Sequence, residues 1–215
     1  MMNTKNKKIY DLTQTICEGM SLFPGTNPPD QQVISRIETH GYNEHSMRFT
    51  SHTGTHMDAP NHLISKGKRL DQYALEHFIG RGFCIPLSGK KDIADWHILT
   101  YKQEISQADF ILFYTGHDRY WGSEKYSQRF PVIDPEAARL LCTFNIRGVG
   151  IDTLSPDPVA SQELPSHHIL MKYQIVIIEN LTNLQPLIEK HFAFYTIPLK
   201  TNSADGAPVR AFAIC

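Results

Sequence analysis

The chain reads as an α/β or α+β fold, one domain built around a mixed β-sheet. Three observations carry that expectation. Apolar stretches of strand length recur along the whole chain, with only a few segments of helical pattern between them. No internal repeat, low-complexity tract or long linker divides the 215 residues. That length suffices for one sizeable core, with hydrophobic residues at 41% and charged residues at 20%.

Taken in order, residues 1–8 are polar and lysine-rich and are expected to be a flexible lead-in, which leaves 9–215 as the domain. Ile9 to Ile16 alternates weakly, and Phe23-Pro24-Gly25-Thr26-Asn27-Pro28-Pro29 forms an irregular loop. Val33 to Thr39 and His45 to Ser51 read as strands joined by a hairpin turn at His40-Gly41-Tyr42-Asn43. Leu70 to Phe78 is a short helix candidate, Gly82 to Leu87 a strand, and Ile93 to Leu99 a helical turn or two. Asp109 to Thr115 has the pattern of a buried strand, stopped by Gly116. Asp134-Pro135-Glu136 opens a helix to about Phe144, with Asp as N-cap and Pro at the first helical position. Gly148 to Asp152 is a strand, His167 to Tyr173 one or two helical turns, and Ile175 to Ile178, Phe192 to Lys200 and Val209 to Cys215 are strands.

Charge excludes some function classes. Lys and Arg number 21 against 22 Asp and Glu, a net charge of −1, so no basic excess points to nucleic acid or to an anionic membrane. No apolar leader follows the lysine-rich start, and the longest apolar runs fall far short of the ~20 residues of a membrane span. Cys17, Cys84, Cys142 and Cys215 are scattered, with no C-x-x-C pair, which suggests reduced thiols in a cytoplasmic protein and no cysteine-built zinc site. Nucleophile-elbow, H-E-x-x-H, phosphate-loop and dinucleotide-binding motifs are absent from the sequence.

Chemistry concentrates in Ser51-His52-Thr53-Gly54-Thr55-His56-Met57-Asp58-Ala59-Pro60-Asn61-His62. Three histidines and an aspartate occupy eleven residues, all at even positions, so an extended run points them to one side. A backbone coiled at Gly54 instead sets His52 and His56 at i and i+4, again on one face. Either geometry gathers imidazole nitrogens and a carboxylate around one point. Zinc prefers that ligand set, and Mn²⁺ or Fe²⁺ accepts it when oxygen ligands are added. A surface loop explains one such histidine; this density favours a metal. Glu179 is a further candidate, because it ends the branched apolar run Ile175-Val176-Ile177-Ile178. A carboxylate there is costly unless it is paired, bound to a cation or exposed at the strand end.

The run from His52 to His62 resembles the H-x-G-T-H-x-D-x-P-x-H signature of the metal-dependent cyclase family, which includes bacterial kynurenine formamidase and isatin hydrolase. The similarity extends through Asp11-Leu12-Thr13, Phe23-Pro24-Gly25, Leu112 to Gly116, Gly150 to Asp157 and Ile177-Ile178-Glu179-Asn180-Leu181, from about residue 10 to at least 185. It implies an α/β, swivelling β/β/α fold with a barrel-like mixed sheet and flanking helices. It further implies one or two Zn²⁺ per chain, or Mn²⁺, with His52, His56 and Asp58 around one ion and Asp58, His167 and Glu179 around a second. His167 has the family's spacing to Glu179, and its neighbour His168 is off by one.

The implied activity is hydrolysis of a C–N amide bond in a small molecule, an aryl formamide such as N-formylkynurenine or a cyclic amide. A metal-bound hydroxide attacks, and His62 serves as acid and base. The alternatives are cyclase or lactonase activity on a small carbonyl compound, or a metal-stabilised binding protein. Family members are typically dimers or larger, so a homodimer or higher homo-oligomer is expected, with no nucleic-acid or membrane partner. Two departures bear on substrate. Phe23 stands where the formamidases carry a Trp that packs on the substrate ring, and Thr26 replaces the Asp of their P-G-D turn. Asp152 and Thr115 are expected to brace turns.

Overall fold

The computed structural model describes residues 7–215, so residues 1–6 of the expected lead-in lie outside the described residues. Lys8, at the end of that segment, exchanges two backbone hydrogen bonds with Cys215, each 3.1 Å. The strands are β1 Ile9–Asp11, β2 Asp30–Ser35, β3 Glu44–Arg48, β4 His56–Asp58, β5 Ile79–Pro86, β6 Phe110–Tyr114, β7 Gly148–Ile151, β8 Val176–Glu179, β9 His191–Pro198 and β10 Gly206–Ile214. The helices are α1 Ile37–His40, α2 Asp95–Thr100, α3 Lys102–Ile105, α4 Lys125–Gln128, α5 Pro135–Leu141 and α6 Pro165–Lys172.

Seven strands close into a barrel in the order β10-β4-β8-β7-β6-β5-β9, with β9 pairing back onto β10 and β1 added along β10. The run β5-β6-β7-β8 is parallel and the remaining pairs are antiparallel, so the sheet is mixed as the sequence predicts. Parallel strands need crossovers, and those crossovers lay α2, α5 and α6 on the outer face. Strand β6 is therefore covered on both sides, which is why its sequence is continuously apolar. Phe110 and Leu112 pack inside the barrel with Phe194 and Val176, while Ile111 and Phe113 meet the helical layer with Leu141, Leu170 and Ile98. The narrow interior also constrains residue size: a Cβ at Gly82 would strike the Phe192 ring, and one at Gly148 would come within 2.9 Å of Phe110.

This alternation also aims the site. Met57 of β4 faces Ile178 of β8 across the ladder, and both are buried in the barrel. Their neighbours His56, Asp58 and Glu179 must then point to the outer face, and His56 is paired directly with Glu179.

Local departures from the sequence reading have visible causes. The hairpin forms, but its strands are β2 and β3, and Ile37–His40 coils into α1 where a strand to Thr39 was expected. Side chains there substitute for a ladder: Asn43 Oδ1 accepts from Ile37 N at 3.0 Å, and Gly41, at φ 78°, caps the turn. Leu70 to Phe78 is two 3₁₀ turns, Leu70–Gln72 and Leu75–Phe78, separated by extended Tyr73. The helix after Asp134 ends at Leu141, and the Asp134 side chain makes no capping bond.

Candidate metal centre

Strand β4, the turn Pro60–His62, the first turn of α6 and the end of β8 bring His52, His56, Asp58, His62, His167 and Glu179 to one cavity of about 260 Å³. Both backbone geometries considered for the histidine-rich run occur in it. His56 and Asp58 lie on an extended strand, and the chain coils just before them at Gly54, where φ is +65°. Only glycine adopts that angle readily, and a Cβ there would also approach Ile16 to 3.1 Å.

Asp58 is the hub. Its Oδ1 lies 2.7 Å from His52 Nδ1 and 3.3 Å from His56 Nε2, and its Oδ2 lies 3.7 Å from His167 Nε2. Glu179 approaches His56 Nε2 and His167 Nε2 at 3.3 Å each. Two groups of potential ligand atoms result, His52/His56/Asp58 and Asp58/His167/Glu179, and they share Asp58. Spacings of 3.3 Å are long for a charge-assisted hydrogen bond, which prefers ~2.8 Å. They match the edge of a tetrahedron whose metal–ligand bonds are about 2.0–2.1 Å. The two groups are made of imidazoles and carboxylates, and they fit a cation that accepts nitrogen and oxygen together.

Each ring is oriented from behind. His56 Nδ1 donates to Gly54 O at 2.9 Å, which directs Nε2 into the cluster. The same carbonyl accepts from Asn180 Nδ2, and Asn180 Oδ1 accepts from Tyr126. His167 Nδ1 donates to Asp157 Oδ2 at 2.7 Å. Asp157 also accepts the backbone N–H groups of Ser166 and His167, so one buried carboxylate caps α6 and fixes its functional ring. Leu164, at φ 43°, delivers the chain into that helix at the cavity edge. His52 Nε2 donates to Asp205 Oδ2 at 3.0 Å, a residue of the β9–β10 connection. A carboxylate behind a ligating imidazole fixes its tautomer and strengthens it as a donor.

Electrostatics agree with a site made for positive charge. Burial alone would strip His56 of its proton, but the Asp58 and Glu179 carboxylates raise its pKa to about 10. Burial opposes the charged form of His167 too, and its contacts with Asp157, Asp58 and Glu179 hold the ring well above the usual imidazole range. Against the same burial cost, the surrounding histidines keep Asp58 well below the usual carboxylate value. The carboxylates thus favour positive charge at the ring nitrogens, and a bound cation would supply that charge in place of protons.

His62 sits to one side. Its ring lies against His52, 4.1 Å between centroids and tilted by 42°, and belongs to neither Asp58-centred group. Burial, its largest influence, moves its pKa down. Phe23 lines the cavity mouth, 39% exposed, on a turn closed by Thr26 N donating to Phe23 O. His168 is exposed on the far side of α6 while His167 is buried. His117 donates Nε2 to Tyr126 O and lies away from the cavity lining. Thr115 N, Thr115 Oγ1 and Gly116 N all donate to Asp152, so this pair braces the end of β6 as the sequence suggested.

Asp157, Asp205, Asn180 and Leu164 were not singled out as site residues by sequence reasoning. Asp157 stood inside a recognised motif with no role attached, and its position ten residues before His167 was the available signal. Nothing in the sequence pointed to Asp205.

Comparison with known proteins places the chain in a family. A kynurenine formamidase from Geobacillus thermodenitrificans is 33% identical over 202 residues, covering 94% of each chain. A crystal structure of an isatin hydrolase bound to the product analogue thioisatinate superposes with a TM-score of 0.89 over 99% of this chain and 94% of that one, at 21% identity, and shows the same fold. A predicted metal-dependent hydrolase from Bacillus stearothermophilus superposes at 0.81 with 29% identity, over 97% of this chain and 98% of its own. Residues 10–158 match the Cyclase family, described as "Putative cyclase". More than half of the sequence is spanned by that match, and the chain belongs to the cyclase family.

Proposed function

We propose that this chain hydrolyses a C–N amide bond in a small molecule, using one or two divalent ions, zinc or manganese, held by His52, His56, Asp58, His167 and Glu179. The observation that carries the reading is the convergence of three imidazoles and two carboxylates, their ligand atoms within 4.8 Å of one another in each group, on one small cavity. A bound divalent cation supplies Lewis acidity and brings the pKa of a bound water toward neutrality. The protein does the rest. Asp58, shared by both ligand groups, holds them together, and the backing contacts to Gly54 O, Asp157 and Asp205 keep the ring nitrogens aimed. His62 lies beside the ligands without joining either Asp58-centred group, and it carries the proton to the departing nitrogen, a task suited to imidazole near neutral pH. Phe23, Leu22, Leu154 and Leu164 form the apolar wall against which a ring packs and from which water is excluded.

The preferred substrate is a small or cyclic amide other than N-formylkynurenine, because Phe23 and Thr26 replace the Trp and Asp of the formamidase loop. We also propose a homodimer: the β2–β3 hairpin leaves Val33, Ile34, Tyr42 and Met47 exposed, and a two-stranded hairpin is marginal on its own. A cytoplasmic location suits four unpaired cysteines. Among the described residues no helix is long and apolar enough to cross a membrane.

The test combines elemental analysis of protein purified without chelator with a hydrolysis panel of N-formylkynurenine, isatin, other cyclic amides and imides, and lactones. His56→Ala should lose metal and activity together, with partial rescue by excess Zn²⁺ or Mn²⁺. His62→Ala should keep its metal and its melting temperature while turnover falls by roughly 10²- to 10⁴-fold. Full activity with less than about a tenth of an equivalent of metal would contradict the reading.

A further inference from the structure

The β9–β10 connection takes part in neither Asp58-centred ligand group, yet it is tied into the site more tightly than a surface loop needs to be. Ala59 N donates to Asp205 O at 2.8 Å, Leu70 N donates to Ala204 O at 3.0 Å, and Gly206 pairs with Asp58 in the β10–β4 ladder. Gly206 and Asp205 are thus held against the strand that carries His56 and Asp58 and the residue that follows it, and Ala204 against the turn at Leu70. Gly206 is there for contact: a Cβ at that position would fall 2.6 Å from Cε1 of the His52 ring. Asp205, pinned one residue earlier, reaches two rings with one oxygen. Its Oδ2 lies 3.0 Å from His52 Nε2 and 3.5 Å from His62 Nδ1.

We infer that Asp205 is a positioning residue for proton transfer, holding His62 by Nδ1 so that Nε2 is the nitrogen that exchanges protons with the substrate. The statement rests on the reading of His62 as the proton carrier. An imidazole has two nitrogens, and only one is free to accept once the other bears hydrogen. A carboxylate beside Nδ1 keeps hydrogen there, leaves the Nε2 lone pair to the cavity, and stabilises the imidazolium formed when Nε2 takes a proton. The proton then leaves from Nε2 to the departing nitrogen, and Asp205 remains a carboxylate throughout. The same oxygen also fixes His52 by its outer nitrogen. One group therefore contacts both the ligand ring and the proton-carrying ring, whose centroids lie 4.1 Å apart at a tilt of 42°.

His52, His62 and Asp205 also offer three atoms close enough to hold an ion of their own. The 3.0 Å contact between His52 Nε2 and Asp205 argues for the hydrogen bond instead, because His52 Nδ1 already faces Asp58. Metal stoichiometry distinguishes the two.

The experiment is a double-mutant cycle on the metal-loaded protein, using whichever of isatin or N-formylkynurenine is turned over. Asp205→Asn keeps the shape but replaces one carboxylate oxygen with a donor. With metal content unchanged, kcat should fall about 10- to 100-fold while KM stays within about threefold. Combined with His62→Ala, Asp205→Asn should cost less than about threefold more, because the residue it acts through is gone. Equal losses in both backgrounds would overturn the inference. So would a kcat within about twofold of the parent protein, or a loss that excess Zn²⁺ or Mn²⁺ restores, since Asp205 would then serve His52 alone. A drop of one ion per chain would favour a separate ion site and also overturn it. If His62→Ala by itself leaves turnover intact, the assignment of the proton carrier fails first, and that result is separate from the others. Should Asp205→Asn melt well below the parent protein, Asp205→Ser is carried through the same cycle.

Discussion

Asp157→Ala tests how far the metal centre depends on one buried carboxylate. Asp157 accepts three hydrogen bonds: Ser166 N at 3.0 Å, His167 N at 2.9 Å and His167 Nδ1 at 2.7 Å. The first two close the N-terminus of α6, which starts at Pro165 and whose N-cap residue, Leu164, makes no side-chain capping bond. Losing a helix cap costs about 1 kcal/mol, and leaving a buried N–H unpaired adds about 1–3 kcal/mol, so the metal-free protein should lose roughly 2–4 kcal/mol. For a chain of this size that is a fall in melting temperature of about 5–15 °C. The third bond acts on the metal. With Nδ1 released, the His167 ring can turn or carry its proton on Nε2, and affinity for Zn²⁺ should drop about 10- to 100-fold. Asp157→Asn retains one acceptor oxygen and should fall between the two proteins in both measurements. Thermal melting of metal-free protein reads the cap, and competition against a chromophoric chelator reads the ring. If Asp157→Ala melts within about 0.5 kcal/mol of the parent protein and binds Zn²⁺ as tightly, the coupling of helix cap to ligand orientation is refuted.

Two further outcomes are expected. Phe23→Trp should raise kcat/KM for N-formylkynurenine at the expense of the preferred amide, and a panel in which N-formylkynurenine already ranks first would show that the loop departure has no consequence. His77, with its ring against Tyr73 at 4.2 Å, has a pKa lowered to about 4 by burial and by the charges of Lys68 and Arg147. The unfolded chain then binds the extra proton between about pH 4 and 6.5, so stability is full above that window and is lost as pH falls through it. Allowing for partial exposure, the loss is about 1 kcal/mol, and denaturation of His77→Phe at pH 7 and pH 4.5 should show that much less acid sensitivity.

The barrel strands were readable because burial on both faces leaves an unmistakable composition. Asp109 to Thr115 carries Phe, Ile, Leu, Phe and Tyr in succession, and β6 lies inside it, packed inward on Phe194 and outward on the helical layer. The β2–β3 hairpin was readable as a hairpin but not in its bounds. Nearly all of its residues are exposed, so no buried face imposes a period of two. Local capping by Asn43 and Gly41 then decides where the strand gives way to α1. Leu70 to Phe78 misled for a related reason. Its apolar spacing suits a helix, but Tyr73 is extended and divides the segment into two separate turns. Closure of the barrel, with β9 pairing onto β10, is a long-range event with no local signature.

The same distinction divides the site. Candidate ligands left a mark in the sequence because His56 and Asp58 share one face of one strand, and because Glu179 ends a strand that is otherwise branched and apolar. Their spacing is fixed by the backbone that carries them. Groups that orient the rings are under no such constraint: each needs only to bring one oxygen to one outer nitrogen. Asp157 does so from ten residues away and Asp205 from 153, across the barrel closure. Asp205 reaches His52 only because Gly206 is in register with Asp58 and because Ala59 N binds the Asp205 carbonyl. Both conditions belong to the pairing of β10 with β4. The C-terminal strand therefore closes the fold and completes the site in one step, and the orientation of His52 and His62 depends on the barrel being shut.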